Sequence, residues 1–112
     1  MDCLFCKIVK GEIPSTKIYE NDKVYAFSDI DPKAPFHAIV IPKEHIKSAA
    51  EINADNKGLV ADVFEAISII AENEKLDKGF RVVNNCGEEG GQTVGHIHFH
   101  LLARRNLQWP PG

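Results

Sequence analysis

The run Gly95-His96-Ile97-His98-Phe99-His100-Leu101-Leu102 holds three of the five histidines in this chain. On an extended strand, side chains alternate between faces. His96, His98 and His100 would then share one face, and Ile97, Phe99 and Leu101 the other. The apolar set belongs in a core. Three imidazoles in register make a poor core and an odd solvent face, and clustered titratable groups point to chemistry. Imidazole titrates near neutrality and is nucleophilic when neutral. Same-face neighbours stand about 6.5–7 Å apart along a strand, so the central His98 is flanked by two others. One neighbour can position a substrate while the other is committed elsewhere. His98 is the candidate nucleophile, and His37, in another strand-like stretch, is a candidate to fix a ring tautomer.

Directly upstream lies Gly87-Glu88-Glu89-Gly90-Gly91-Gln92-Thr93-Val94-Gly95. Glycine lets backbone N–H groups converge on an anion, and Gln92 and Thr93 add side-chain donors. No Gly-Lys-Ser/Thr follows, so this is not a Walker loop. Glu88 and Glu89 speak against a polyphosphate cradle. A Gly-rich hairpin loop would account for the segment taken alone; beside the histidines it reads as a seat for one phosphate. Cys3 and Cys6 form a C-x-x-C pair, which in a reducing compartment suggests metal or redox chemistry. Cys86 stands alone and reads as a half-buried thiol without a role.

These residues need a frame. Residues 3–10 read as a short helix before Gly11. Lys17–Tyr19 and Val24–Phe27 read as strands joined by a turn at Asn21-Asp22. His37–Ile41 is a third strand between Pro35 and Pro42. A long helix follows, with Asp55 as candidate N-cap and a stripe of Val60, Val63, Phe64, Ile67, Ile70 and Ala71 at helical spacing. Gly79–Val83 and His96–Leu102 complete about five strands. Clustered strands with one long and one short helix predict an α+β fold on an antiparallel sheet.

At 112 residues, with 44% apolar and 26% charged residues, the chain suits one domain over 1–112, with a tail at 106–112. No apolar run approaches the roughly 20 residues of a membrane helix. No signal peptide is apparent at the start, and three cysteines do not suggest a disulfide framework, so a cytoplasmic protein is expected. The formal charge of −3 disfavours nucleic acid and anionic membrane as partners.

With these residues in view, the chain resembles the histidine-triad (HIT) family, closest to its nucleotide-binding members that hydrolyse nucleoside phosphoramidates. Residues 96–102 match the family pattern His-φ-His-φ-His-φ-φ throughout, φ being apolar. The similarity runs over nearly the whole chain. It includes Phe5-Cys6-Lys7-Ile8 with Glu12-Ile13-Pro14, Ala26-Phe27 with Asp29-Ile30, and Val40-Ile41-Pro42-Lys43 with His45. The Gly-Gly-Gln-Thr loop and the ending Trp109-Pro110-Pro111-Gly112 also match. The resemblance implies a HIT-like fold and a homodimer with a sheet continued between protomers. It implies a purine mononucleotide or its phosphoramidate as ligand, with His98 forming a transient nucleotidyl-imidazole. His100 and Thr93 would contact the phosphate or leaving group, and His37 would support His98. Asp29 and Ile30 would line the ribose and base pocket. Asn85 and Gly91, Gln92 and Thr93 would serve the phosphate side.

Cys3, Cys6, His45 and His96 form an S₂N₂ set suited to zinc, closed and structural, with no catalytic metal expected. Only the cysteines are close in sequence, and Cys-bearing relatives resemble this arrangement. Two other readings stand beside the nucleotidyl-histidine hydrolase. One is a zinc hydrolase, disfavoured because the cysteine pair would close the coordination sphere. The other is a nucleotide-binding or interaction module with incidental hydrolysis. Dinucleoside polyphosphates are an alternative substrate.

Overall fold

The computed structural model describes residues 2–112. The elements run α1 (Leu4–Val9), β1 (Lys17–Glu20), β2 (Val24–Ser28), β3 (Phe36–Pro42), α2 (Lys57–Asn73), β4 (Phe80–Val83) and β5 (Phe99–Ala103), with a short 3₁₀ turn at Ala49–Glu51. The strands form one antiparallel sheet in the order β1-β2-β3-β5-β4. The expected α+β architecture is therefore present.

Both faces of the central strands are covered, which explains why β2 and β3 are apolar almost throughout. Val24, Ala26, Ala38, Val40 and Leu101 pack with Val63, Ala66, Ile67 and Ile70 of α2. Tyr25, Phe27, Ile39 and Ile41 pack on the opposite face with Phe5 and Ile8 of α1. Each of the larger aliphatic side chains so buried contributes about 2 kcal/mol. The β1–β2 turn is held by Asn21, whose Oδ1 accepts from the amides of Lys23 and Val24 at 2.9 Å each.

Three expectations need correction. The N-cap of α2 is Asn56, not Asp55. Asn53 Oδ1 accepts from the amides of both Asp55 and Asn56, making a side-chain turn that delays the helix. Phe64 lies at the rim of the α2 stripe, half exposed, with its ring edge-on to Phe99. The histidine segment is strand only from Phe99 onward. The amide of Ile97 donates to the Ile46 carbonyl, and the His98 carbonyl accepts from Asn84 Nδ2, so sheet partners are replaced at residues 97 and 98. Alternation survives the loss of pairing: Ile97, Phe99 and Leu101 still enter the α2 core.

Candidate active site

β3 and β5 are adjacent, with Ile39 opposite His100 and His37 opposite Leu102. His37 and His100 are thus diagonal neighbours on one face, with ring centroids 5.1 Å apart. The His98 and His100 rings are also 5.1 Å apart. Asp29 follows β2 closely, and its amide donates to the His37 carbonyl.

Main-chain atoms determine which nitrogen of His37, His96 and His98 carries the proton, and His37 in turn sets the proton of His100. The Lys33 amide donates to His37 Nδ1 at 3.0 Å. His37 Nδ1 is therefore an acceptor, and in the neutral ring Nε2 holds the hydrogen. That Nε2–H faces His100 Nδ1 at 2.9 Å, with Asp29 Oδ2 at 3.4 Å. His100 Nδ1 accepts, which leaves His100 Nε2–H as a donor. His98 Nδ1 lies 2.8 Å from the His96 carbonyl, which can only accept. His98 Nδ1 carries the proton, and the lone pair of Nε2 is free. Burial pushes His37 below the usual imidazole range despite the opposing pull of Asp29. Burial does the same to His100, reinforced by His98 and His37. Both rings are neutral at neutral pH, as these assignments require. Asp29, His37 and His100 are close enough to suggest a second metal site. The Lys33 amide argues otherwise, because it denies His37 Nε2 the lone pair a metal needs.

His96 faces away from this relay. Its Nε2 donates to the Pro42 carbonyl at 2.9 Å, so its Nδ1 lone pair points into the cluster of Cys3, Cys6 and His45. His96 Nδ1 lies 3.5 Å from Cys3 Sγ, 3.6 Å from Cys6 Sγ and 3.2 Å from His45 Nδ1; Cys6 Sγ lies 3.5 Å from His45 Nδ1. A zinc tetrahedron with ordinary bond lengths has edges of about 3.3 Å between nitrogens and about 3.6 Å between sulfur and nitrogen. The four residues fit zinc in donor type and in spacing. Burial, then the neighbouring Cys3, pushes the Cys6 thiol up, so two thiolates here call for a cation. Four protein ligands fill a tetrahedron, so such a site is closed.

An apolar cavity of about 190 Å³ opens beside Asp29, lined by Leu4, Phe5, Phe27, Ile30 and Ile39 among others. Asp29 and Ile30 both line this cavity, and the Ile30 side chain is fully exposed at its rim.

The loop departs from expectation. The Gln92 side chain is spent on bracing: Nε2 donates to the carbonyls of Lys47 and Val94, and Oε1 accepts from the Gly87 amide. The amides of Gly91 and Gln92 donate to Glu88 and Gly87. Gln92 is therefore not a free side-chain donor, and the amides of Gly87, Gly91 and Gln92 are engaged within the loop. Gly91 adopts a φ of 81°, which explains the glycine. Thr93 is exposed, and its amide and hydroxyl enter none of these bonds. Asn85 makes none of the site's hydrogen bonds; its neighbour Asn84 holds the His98 carbonyl at 2.9 Å. Cys86 is exposed, not half-buried, and a bond from Ser48 lowers its thiol pKa.

Fold and site together define a small α+β protein with histidine rings clustered beside one antiparallel sheet. Residues 10–107 match the HIT domain, and the chain belongs to that family. It is similar to a HIT family hydrolase from Legionella pneumophila, with 46% identity, a TM-score of 0.96, and coverage of 99% of this chain and 100% of that one. It is 42% identical to a 14 kDa zinc-binding protein of Brassica juncea, covering 99% of this chain and 100% of the other. It is 40% identical to the adenylylsulfatase HINT1 of Arabidopsis thaliana, covering 97% of this chain and 76% of that protein. Among the described residues, no helix is long and apolar enough to cross a membrane.

Proposed function

We propose that this HIT-family protein is a cytoplasmic hydrolase of purine nucleoside phosphoramidates, acting through a nucleotidyl-histidine on His98. The observation that carries this reading is the free Nε2 of His98, whose Nδ1–H is tied to the His96 carbonyl at 2.8 Å. In the first step Nε2 attacks the α-phosphorus, a P–Nε2 bond forms, and the P–N bond to the amine breaks. The ring becomes cationic, and the His96 carbonyl stabilises its Nδ1–H. His100 Nε2–H donates a hydrogen bond to a phosphate oxygen, and the leaving nitrogen takes a proton from solvent as the P–N bond breaks, so the amine departs protonated. Water then attacks the same phosphorus and releases a proton to solvent, the P–Nε2 bond breaks with its electron pair returning to Nε2, and neutral His98 is regenerated as the mononucleotide leaves. Asp29 accepts from the ribose hydroxyls, and the apolar cavity receives the base. Thr93 is the loop's remaining donor to the phosphate.

Zinc on Cys3, Cys6, His45 and His96 would brace the fold without entering the reaction. A homodimer fits the exposed edge of the sheet. β4 has a neighbour on one side only, and Phe80 on it and Phe64 on α2 are half exposed. The test is His98→Asn. Turnover of adenosine phosphoramidate should be lost while AMP still binds, and wild-type protein should trap labelled nucleotide in a burst. Near-normal turnover in the variant would reject the assignment.

A second reading is favoured by the name of the Arabidopsis relative. Attack at an adenylyl phosphorus is the same step when sulfate leaves in place of an amine. Relative rates on adenosine phosphoramidate and adenylyl sulfate would rank the two.

A further inference from the structure

Phe5 lies between the two cysteines of the C-x-x-C pair and is buried. Its ring meets three neighbours edge-on. These are His98, at 5.2 Å between centroids and 86° between planes, His96 at 6.0 Å and 68°, and Phe27 at 5.5 Å and 72°. It also lines the apolar cavity beside Asp29. One side chain therefore touches a ligand of the Cys/His centre, the nucleophilic ring and the wall of the nucleoside pocket.

What holds Phe5 in place is weak on its own. α1 has six residues, and a helix this short has no independent stability. Its N-cap is Cys3, whose Sγ accepts the Cys6 amide at 3.3 Å. Both cysteines belong to the four-ligand centre, whose other members, His45 and His96, lie between β3 and β5 in the chain. A cation there ties the first turn of α1 to the segment that carries His96 and His98. Without one, that turn keeps its apolar contacts but loses its polar anchor.

We propose that Phe5 is a positioning residue through which the Cys/His centre sets nucleotide affinity. Zinc in the centre holds the Phe5 ring against His98 and the pocket wall, and its loss lets the ring withdraw. The zinc is then more than a brace, because it controls the nucleotide site from outside it. This rests on the reading of His98 and the cavity as a nucleotide site.

The experiment is calorimetric titration of AMP, the product of the proposed reaction, into the full chain. Zinc-loaded wild type, chelator-stripped wild type and zinc-loaded Phe5→Leu are compared. Stripping should weaken AMP binding about 3- to 10-fold, the range expected when one aromatic packing contact is lost. Phe5→Leu should weaken it similarly with its zinc content unchanged, and should abolish the dependence on zinc. The ring protons of His98, which sense the Phe5 ring current, should shift in both altered proteins. Cys6→Ser is a second route to the metal-free state. Equal AMP affinity in loaded and stripped wild type, both folded, would overturn the proposal. Zinc-loaded Phe5→Leu binding like wild type would overturn it independently, even if the stripped protein unfolds. Absence of AMP binding to zinc-loaded wild type would instead overturn the nucleotide reading, and this proposal with it.

Discussion

His37 touches no substrate in the proposed mechanism, yet its removal should change the proton on the ring that does. In His37→Ala, His100 Nδ1 loses the donor 2.9 Å away. The nearest remaining partner is Asp29 Oδ2 at 3.9 Å, a carboxylate oxygen that can only accept. The favourable response is for His100 to move its proton to Nδ1. Its Nε2 then becomes an acceptor where a donor to the phosphate is needed. A hydrogen bond to a charged group is worth about 1.5–3 kcal/mol. Its loss in the transition state corresponds to a fall in kcat of about 10- to 150-fold. The Lys33 amide also loses its acceptor, which costs stability by about 1–3 kcal/mol if no water replaces it. Single-turnover rates on adenosine phosphoramidate give the first quantity, and urea unfolding gives the second. Long-range ¹H–¹⁵N spectra report the His100 tautomer directly. A variant whose His100 keeps its proton on Nε2, or whose kcat stays within about twofold of wild type, would refute the relay. A loss of stability with kcat unchanged would make His37 a packing residue only.

The remaining predictions concern pH, metal and the tail. His37 and His100 are both held below the ordinary imidazole range by burial. The unfolded chain therefore takes up protons below about pH 6.5 that the native state refuses. Stability should be full above that pH. It should fall as pH drops toward the lowered native values, by up to about 1.4 kcal/mol per pH unit for each ring. A urea midpoint that rises on acidification through this window would contradict the assignment. Zinc removal, or Cys3→Ser with Cys6→Ser, should lower the melting temperature by less than in domains that depend on zinc to fold, where binding contributes about 10 kcal/mol. kcat at saturating substrate should survive at low temperature, and activity that tracks zinc content in folded protein would favour a catalytic metal. Trp109, on a tail without helix or strand, is 81% exposed in the single chain, a costly place for an indole. Packing of residues 106–112 against a partner protomer's active site would cover it, and truncation from Gln108 should then alter relative rates among leaving groups. Unchanged selectivity would count against that placement.

The sheet was legible because its pattern leaves little choice. Alternating apolar residues in β2 and β3 serve two cores, and Asn21 marks the turn between β1 and β2. The long helix was legible from its spacing, whereas its first residue was not. A side chain four positions upstream, Asn53, sets that start through hydrogen bonds that no periodicity encodes. The same limit explains the loop. Gln92 and Thr93 are adjacent polar residues after paired glycines, but one is consumed by three carbonyl and amide contacts and the other is left exposed.

The histidines show where the limit falls in chemical terms. Their residue types and alternation identified the rings, but an imidazole has two nitrogens, and the chemistry belongs to one of them. His98 is fixed by the His96 carbonyl, His96 by the Pro42 carbonyl, and His37 by the Lys33 amide. All three partners are main-chain atoms, which every residue possesses, so no side-chain pattern can announce them. His100, by contrast, takes its orientation from another side chain. The motif spacing divides the three rings between two surroundings, with His96 turned to the thiols and His100 placed between His98 and His37. The backbone then determines that His98 presents a lone pair and His100 a proton. A substitution that leaves every histidine in place but shifts the backbone at Pro42 or Lys33 should therefore impair the site as surely as one that removes a ring.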